Sequence, residues 1–172
     1  MKKSLVIYLG LMLAVLVFVS PGCYSLSGSA VPPAMRTINI AFFENNAPIV
    51  VGNLSQTFTD ALKNRIRTTT RLSVISGEAD ANMSGAIVGY SYAPVSVQAT
   101  NPNAPPIANA SVLTITVRVK FVYDADKKLN FDQTFSKSTN FQGDITSQEQ
   151  SLIKTISTQL IDDIFNKAFN NW

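Results

Sequence analysis

The residue best placed for chemistry is Cys23, the single cysteine of the 172-residue chain. It follows a charged start, Lys2 and Lys3, and an apolar run from Leu5 to Val19 that ends Ser20-Pro21-Gly22. That order of charge, apolar run and small residue is the order of a secretory signal. A glycine directly before a cysteine is the pattern of a lipoprotein box, in which the thiol takes a diacylglycerol and the signal is cut away in front of it. With no second cysteine in the chain, no disulfide competes for the thiol. The expectation is a signal peptide over residues 1–22 and a mature chain that begins at a lipid-carrying Cys23, outside the cytoplasm. Ser20 stands where an aliphatic residue is usual, so an ordinary secretory signal and a spanning anchor remain as alternatives. A spanning helix needs about 20 apolar residues and this run has about 15.

Little other chemistry is on offer. There is no histidine, which removes the commonest general base and the commonest transition-metal ligand. An acylated cysteine is neither a nucleophile nor a thiolate ligand. The paired carboxylates are Asp162-Asp163 and Glu78 with Asp80. The first pair falls between apolar positions of a helical pattern and reads as a solvated face. Neither pair shows the two converging acids that a glycan-cleaving enzyme needs. Tyr90, Tyr92, Phe121 and Tyr123 would suit a stacking platform, but their strand context favours core packing. No catalytic residue, metal or cofactor is expected.

The basic residues are more suggestive. Arg118 and Lys120 share the polar face of one strand, and Lys127 and Lys128 sit at its hairpin. Such cations suit lipid phosphates. The plainer alternative is a solvated sheet face neutralised by Asp124, Asp126 and Asp132. A second set, Lys63, Arg65, Arg67 and Arg71, crowds the last turns of a predicted helix and its exit, where cations suit the helix dipole. Loss of Lys2 and Lys3 with the signal takes the basic count from fourteen to twelve, against eleven acidic residues. That balance, with no dense Lys/Arg run, argues against nucleic acid as a partner. From Ala81 to Val117 no residue is charged, where an ordinary surface carries about a quarter charged residues. This stretch, with a Pro-rich loop from Pro94 to Pro106, is therefore a candidate contact surface; a neutral loop between two ordinary strands is the alternative.

Residues 23–36 read as the lipidated cysteine and a Ser/Gly/Pro-containing tether, and residues 37–172 as one domain. Thr37–Phe43 is a β-branched and aromatic run that predicts a strand. Leu54, Phe58, Leu62 and Ile66 make the stripe of an amphipathic helix over about 54–69, with Asn53 and Gln56 as a predicted capping box. Leu72–Ile75 predicts a short strand, which completes a parallel βαβ unit. A third strand runs from Ala81 to Tyr92, its Gly85 and Gly89 marking a bulge or a close backbone approach. In the fourth, Leu113, Ile115, Val117, Val119, Phe121 and Tyr123 alternate with polar residues. A turn at Asp124–Lys128 and a fifth strand through Leu129, Phe131 and Phe135 follow. Thr146 and Ser147, with Glu149 and Gln150, predict the start of a long amphipathic helix that ends near Trp172. The expected fold is α+β: a two-layer sandwich in which two helices pack on one face of a mixed four- to five-stranded sheet, in the order β-α-β-β-β-β-α.

Taken together, the Cys23 signal and tether, Thr37–Pro48, Asn53–Ile66, Arg71–Ser76, and the long strands closed by a C-terminal helix resemble the lipopolysaccharide-assembly lipoprotein family LptE, in its short Bacteroidetes-type form. The resemblance covers most of the mature chain, and Tyr24–Arg67 is its strongest piece. It implies a non-enzymatic protein without cofactors, lipid-anchored on the periplasmic side of the outer membrane. It implies a plug and assembly partner of the LptD-type β-barrel that delivers lipopolysaccharide. Thr37–Asn45 also resembles the first strand of periplasmic lipoproteins that build secretion pores or activate cell-wall synthases, which gives the alternative reading.

Overall fold

The computed structural model describes residues 31–94 and 110–170. Cys23, the signal, most of the tether, the Pro-rich loop and Trp172 lie outside them. The sheet is built on β5 (Ala110–Tyr123), the strand with the cleanest alternation. Leu113, Ile115, Val117, Val119, Phe121 and Tyr123 are all buried, while Arg118 and Lys120 between them are exposed. β4 (Ala81–Pro94) and β6 (Phe131–Gln142) pair antiparallel with its two edges. β1 (Thr37–Ile40) runs parallel to β4, and β3 (Ser73–Ile75) runs parallel to β1 at the outer edge. The order is β3-β1-β4-β5-β6, with a two-residue strand β2 (Glu44–Asn45) beside β4.

Both helices, α1 (Leu54–Thr69) and α2 (Glu149–Phe169), cover one face of this sheet. The predicted stripe of α1 is fully buried at Leu54, Phe58, Leu62 and Ile66. From α2, Ile156, Leu160, Ile164 and Phe169 enter the same core. Phe169 meets Phe121 edge-on at 5.9 Å, and Phe131 stacks on Phe121 at 5.7 Å. The helices run side by side in the same direction. Gln150 donates to the Asn53 side chain at 3.2 Å, and Arg65 pairs with Asp162 at 3.0 Å, equal steps further along both. Packing of an apolar face, rather than helix propensity, holds such elements in place.

The α+β two-layer architecture is the one expected from periodicity, and the local differences have physical causes. The first strand stops at Ile40 instead of running to Phe43. Phe43 turns into the core, its N–H donates to the Thr59 hydroxyl at 3.1 Å, and its ring lies 5.3 Å from that of Phe58. Phe42 is left half exposed. Glu44, expected to break the strand, instead resumes it opposite Ala86. Neither predicted capping box forms. Gln56 bonds Asp60, and the helix after Thr146 and Ser147 starts from Gln148 without a side-chain cap, because both hydroxyls turn to Asp144. Packing of domain residues begins within the expected tether: Val31 and Met35 are buried, and Arg71 donates to the Val31 carbonyl at 2.9 Å.

The two β4 glycines divide the roles foreseen for them. The register with β5 shifts between Ile87 and Gly89, which is a bulge. Gly85 marks the close approach: a Cβ there would strike the Arg118 carbonyl oxygen and lie 2.6 Å from Phe43 Cε1. Two neighbouring segments thus press on one missing side chain. Gly85→Val should destabilise the protein by about 3 kcal/mol or prevent folding, as overpacking against backbone does. Gly52→Ala, where nothing lies within 4 Å, should be nearly neutral in the same urea titration.

Asp80 joins β1 to the start of β4. Its carboxylate accepts from the Arg36 and Thr37 N–H groups and from the Thr37 hydroxyl, each at 2.9 Å. These hydrogen bonds, with the Arg36 amide first, hold its pKa below the usual carboxylate value. A lowered carboxyl contributes stability above its unfolded pKa, about 3.9, and loses it as pH falls through the folded value. Asp80→Asn should therefore lower Tm at neutral pH, and the gap from the parent should close as the pH drops below about 3.9.

Candidate functional site on the open sheet face

The face of the sheet turned away from the helices carries the candidate site. Along β5 it presents Thr114, Thr116, Arg118 and Lys120; along β4, Asn82, Ser84 and Ala86; along β6, Asp132, Thr134, Ser136 and Ser138. The alternation that buries the apolar half of β5 forces this set outward. Most of the face is uncharged: Thr116 and Ser136 share a hydrogen bond at 3.0 Å, and Asn39 donates to Asn82 at 3.3 Å.

Arg118 and Asp132 form a two-pronged ion pair across β5 and β6, Nε to Oδ1 at 2.8 Å and Nη2 to Oδ2 at 3.0 Å. They are diagonal neighbours, since Arg118 stands opposite Thr134 and Lys120 opposite Asp132. The Arg118 hydrogen bonds hold Asp132 below the usual carboxylate range, with the charges of Arg118 and Lys120 adding to them. In return Asp132 holds the Arg118 proton more firmly. Beside the pair is a depression of about 350 Å³, walled by Asn46, Ala86, Val88 and Lys120 and floored by Gly85. Lys120 forms no ion pair with any described residue. The face can thus offer an anion one free ammonium and one guanidinium already shared with a carboxylate.

Of the four basic residues singled out from the sequence, the structure brings two together. Arg118 and Lys120 border the depression. Lys127 and Lys128 lie in the 3₁₀ turn Lys127–Leu129 between β5 and β6, where the Asp126 carboxylate accepts from the Lys128 N–H at 3.0 Å. Five residue steps of strand separate Arg118 from Tyr123, where that turn begins, or about 17 Å. The residues are two groups rather than one patch. The other candidates fall into the framework. Arg65 pairs with Asp162 and lies over the Phe165 ring at 5.1 Å, and Asp163 pairs with Lys137 at 2.8 Å. Tyr90, Phe121 and Tyr123 are in the core, whereas Tyr92 is half exposed.

Some contacts carried no local signal in the sequence. The Tyr90 hydroxyl donates to Glu149 at 2.6 Å and ties β4 to the start of α2. Burial, and then that hydrogen bond to a carboxylate, push the Tyr90 pKa up. A second depression, of about 450 Å³, lies between the helices beside Thr57, Ala61 and Lys154. At its edge the Ser157 hydroxyl is buried without a partner. No group of His, Cys, Asp and Glu suited to a metal ion is found among the described residues.

The fold defines a class of small α+β domain, two helices on one face of a mixed sheet with the other face open and polar, and the comparisons fall within it. The model of the family described as LptE, lipopolysaccharide-assembly, matches residues 35–168. The chain belongs to the LptE family. No curated protein matches in sequence. Among solved structures, the hypothetical protein CT253 from Chlamydia trachomatis is similar at TM-score 0.55 and 10% identity, over 80% of this chain and all of that one. Uncharacterised lipoprotein B from Nitrosomonas europaea is similar at TM-score 0.50 and 15% identity, over 83% of this chain and 87% of its own. Protein XCC0632 from Xanthomonas campestris gives TM-score 0.51 and 11% identity, over 80% and 87%. At these identities the likeness is one of fold.

Asp132→Asn should release the Arg118 guanidinium while changing thermal stability little, because both groups are solvent-exposed. Retention on a phosphate-bearing resin should rise for that variant and fall for Lys120→Gln.

Proposed function

We propose that the protein is a non-enzymatic outer-membrane lipoprotein, anchored through Cys23 on the periplasmic side, that plugs an LptD-type β-barrel and assists its assembly for lipopolysaccharide export. Membership of the lipopolysaccharide-assembly family supports the process. The observation that carries the plug reading is the charge-free half of the sheet. Between Asp80 and Arg118 the described residues of β4 and β5 put only neutral side chains on the open face. The same end of the domain exposes Ile49, Val50 and Tyr92. A rigid two-layer body with a neutral, Ser/Thr/Asn-rich face and an apolar tip fits a polar barrel lumen without stranding charge against its wall. Arg118 and Lys120, at the border of that neutral field, are placed to meet lipopolysaccharide phosphates in passage. The function is mechanical and electrostatic, with no cofactor.

The test is an affinity pull-down of the full chain, tagged at its C-terminus, from detergent-solubilised outer membranes. A stoichiometric LptD-type barrel in the eluate is the expected result. Recovery of the protein as a homo-oligomer, or with a cell-wall synthase and no barrel, would end this reading in favour of a pore builder or synthase activator.

A further inference from the structure

Every strand but β2, and both helices, share one end of the domain, and it is the end where the N-terminal segment enters. Thr37 pairs with Ser73, Ile38 with Ala81, and Ala81 with Tyr123, so β1, β3 and β4 start there and β5 finishes there. β6 starts there too, and both helices terminate there, since α1 leads into β3 and α2 runs alongside α1. Val31 is fixed at this end by its bond to Arg71.

The charges of the described residues are unevenly divided between the two ends. The tether end carries six exposed cations. Arg36 precedes β1, Arg67 and Lys167 sit in the last turns of the two helices, Arg71 follows α1, and Lys127 and Lys128 occupy the hairpin. Its four carboxylates are Glu78, Asp80, Asp124 and Asp126. Asp80 and Asp126 are turned to backbone amides, and none of the four forms an ion pair with the cations. At the opposite end the turns over 46–53 and 143–148 hold Asp144 and no lysine or arginine, and the first two turns of the helices add Asp60, Glu149 and one cation, Lys154. Helix dipoles account for Arg67 and Lys167. They do not account for Lys127 and Lys128, which lie on a different element.

We propose that the tether end is a docking surface for anionic phospholipid headgroups, in the leaflet that holds the lipid anchor. The occupant follows from the length of chain that leads to this end. Cys23 is eight residue steps from Val31, so the end stands at most about 29 Å from an anchored Cys23. Of all the faces of the domain, this basic one is held nearest the phosphates. Juxtamembrane lysines and arginines are drawn to an anionic surface within about a Debye length of it. The orientation rests on the lipoprotein reading of Cys23; the surface itself does not.

The experiment therefore uses the unacylated chain from Tyr24, which retains every core residue from Val31 onward. Co-sedimentation with phosphatidylcholine vesicles is compared with and without phosphatidylglycerol. Binding should appear with phosphatidylglycerol only, and should vanish near 0.5 M salt, where the Debye length is about 4 Å. The triple variant Lys127→Gln, Lys128→Gln, Lys167→Gln should bind about tenfold more weakly or worse, with an unchanged circular dichroism spectrum. The variant Lys154→Gln, an exposed lysine near the start of α2 and far from the tether end, should bind as the parent does. Binding that ignores phosphatidylglycerol, an unaffected triple variant, or retention by lipopolysaccharide aggregates alone would overturn the proposal. Palmitate labelling of the full chain, lost in Cys23→Ala, reads the anchor separately, so its failure is told apart from failure of the surface.

Discussion

The structure depends on one constraint, the strict two-residue alternation of β5. Six apolar side chains from Leu113 to Tyr123 must leave water on the same face, and a strand allows that only if every intervening residue faces the other way. The two helices close the apolar side. The polar side is left as the field in which Arg118, Lys120 and Asp132 meet. Core and candidate site are therefore two halves of one pattern, and neither can be shifted in register without inverting the other.

A second requirement is closeness between β4 and its neighbours. Gly85 lets the Arg118 backbone and the Phe43 ring approach β4 together. Phe43 in turn needs the break after Ile40, and the Thr59 hydroxyl satisfies its amide. A small residue, a strand interruption and a buried hydroxyl act as one device that seats α1 on the sheet. The Tyr90–Glu149 bond does the corresponding work for α2. Both joints involve a backbone or side-chain polar group that would be costly to leave unpaired, so they fix where each helix sits as well as that it is buried.

The domain is polarised along the direction of its strands. One end is basic and lies where the N-terminal segment enters, and the other exposes Ile49 and Val50 and carries the single cation Lys154, with a neutral face leading up to it. The proposed anchored plug would use that arrangement: attraction where it meets phosphates, and little stranded charge where it meets a wall. The Arg118–Asp132 pair tempers the field between the two ends and leaves Lys120 as the cation free to exchange partners.

By itself the sequence determined the elements and the class of fold. Periodicity of two and of four is a local property, and it placed Leu54–Ile66 and Leu113–Tyr123 on their buried faces. Cys23 and its preceding run, read locally in the same way, pointed to a lipid anchor. Tertiary structure alone decided the pairings. Arg118 chose Asp132 from three nearby acids because the β5–β6 register set them diagonally opposite. Lys127 and Lys128 parted from Arg118 because a strand extends about 3.4 Å per residue. The capping boxes gave way because Asp144 and Asp60 offered their side chains nearer partners. Registers and side-chain partners arise from residues distant in the chain, and the local pattern that forms a strand or a helix carries no information about which neighbour will stand beside it.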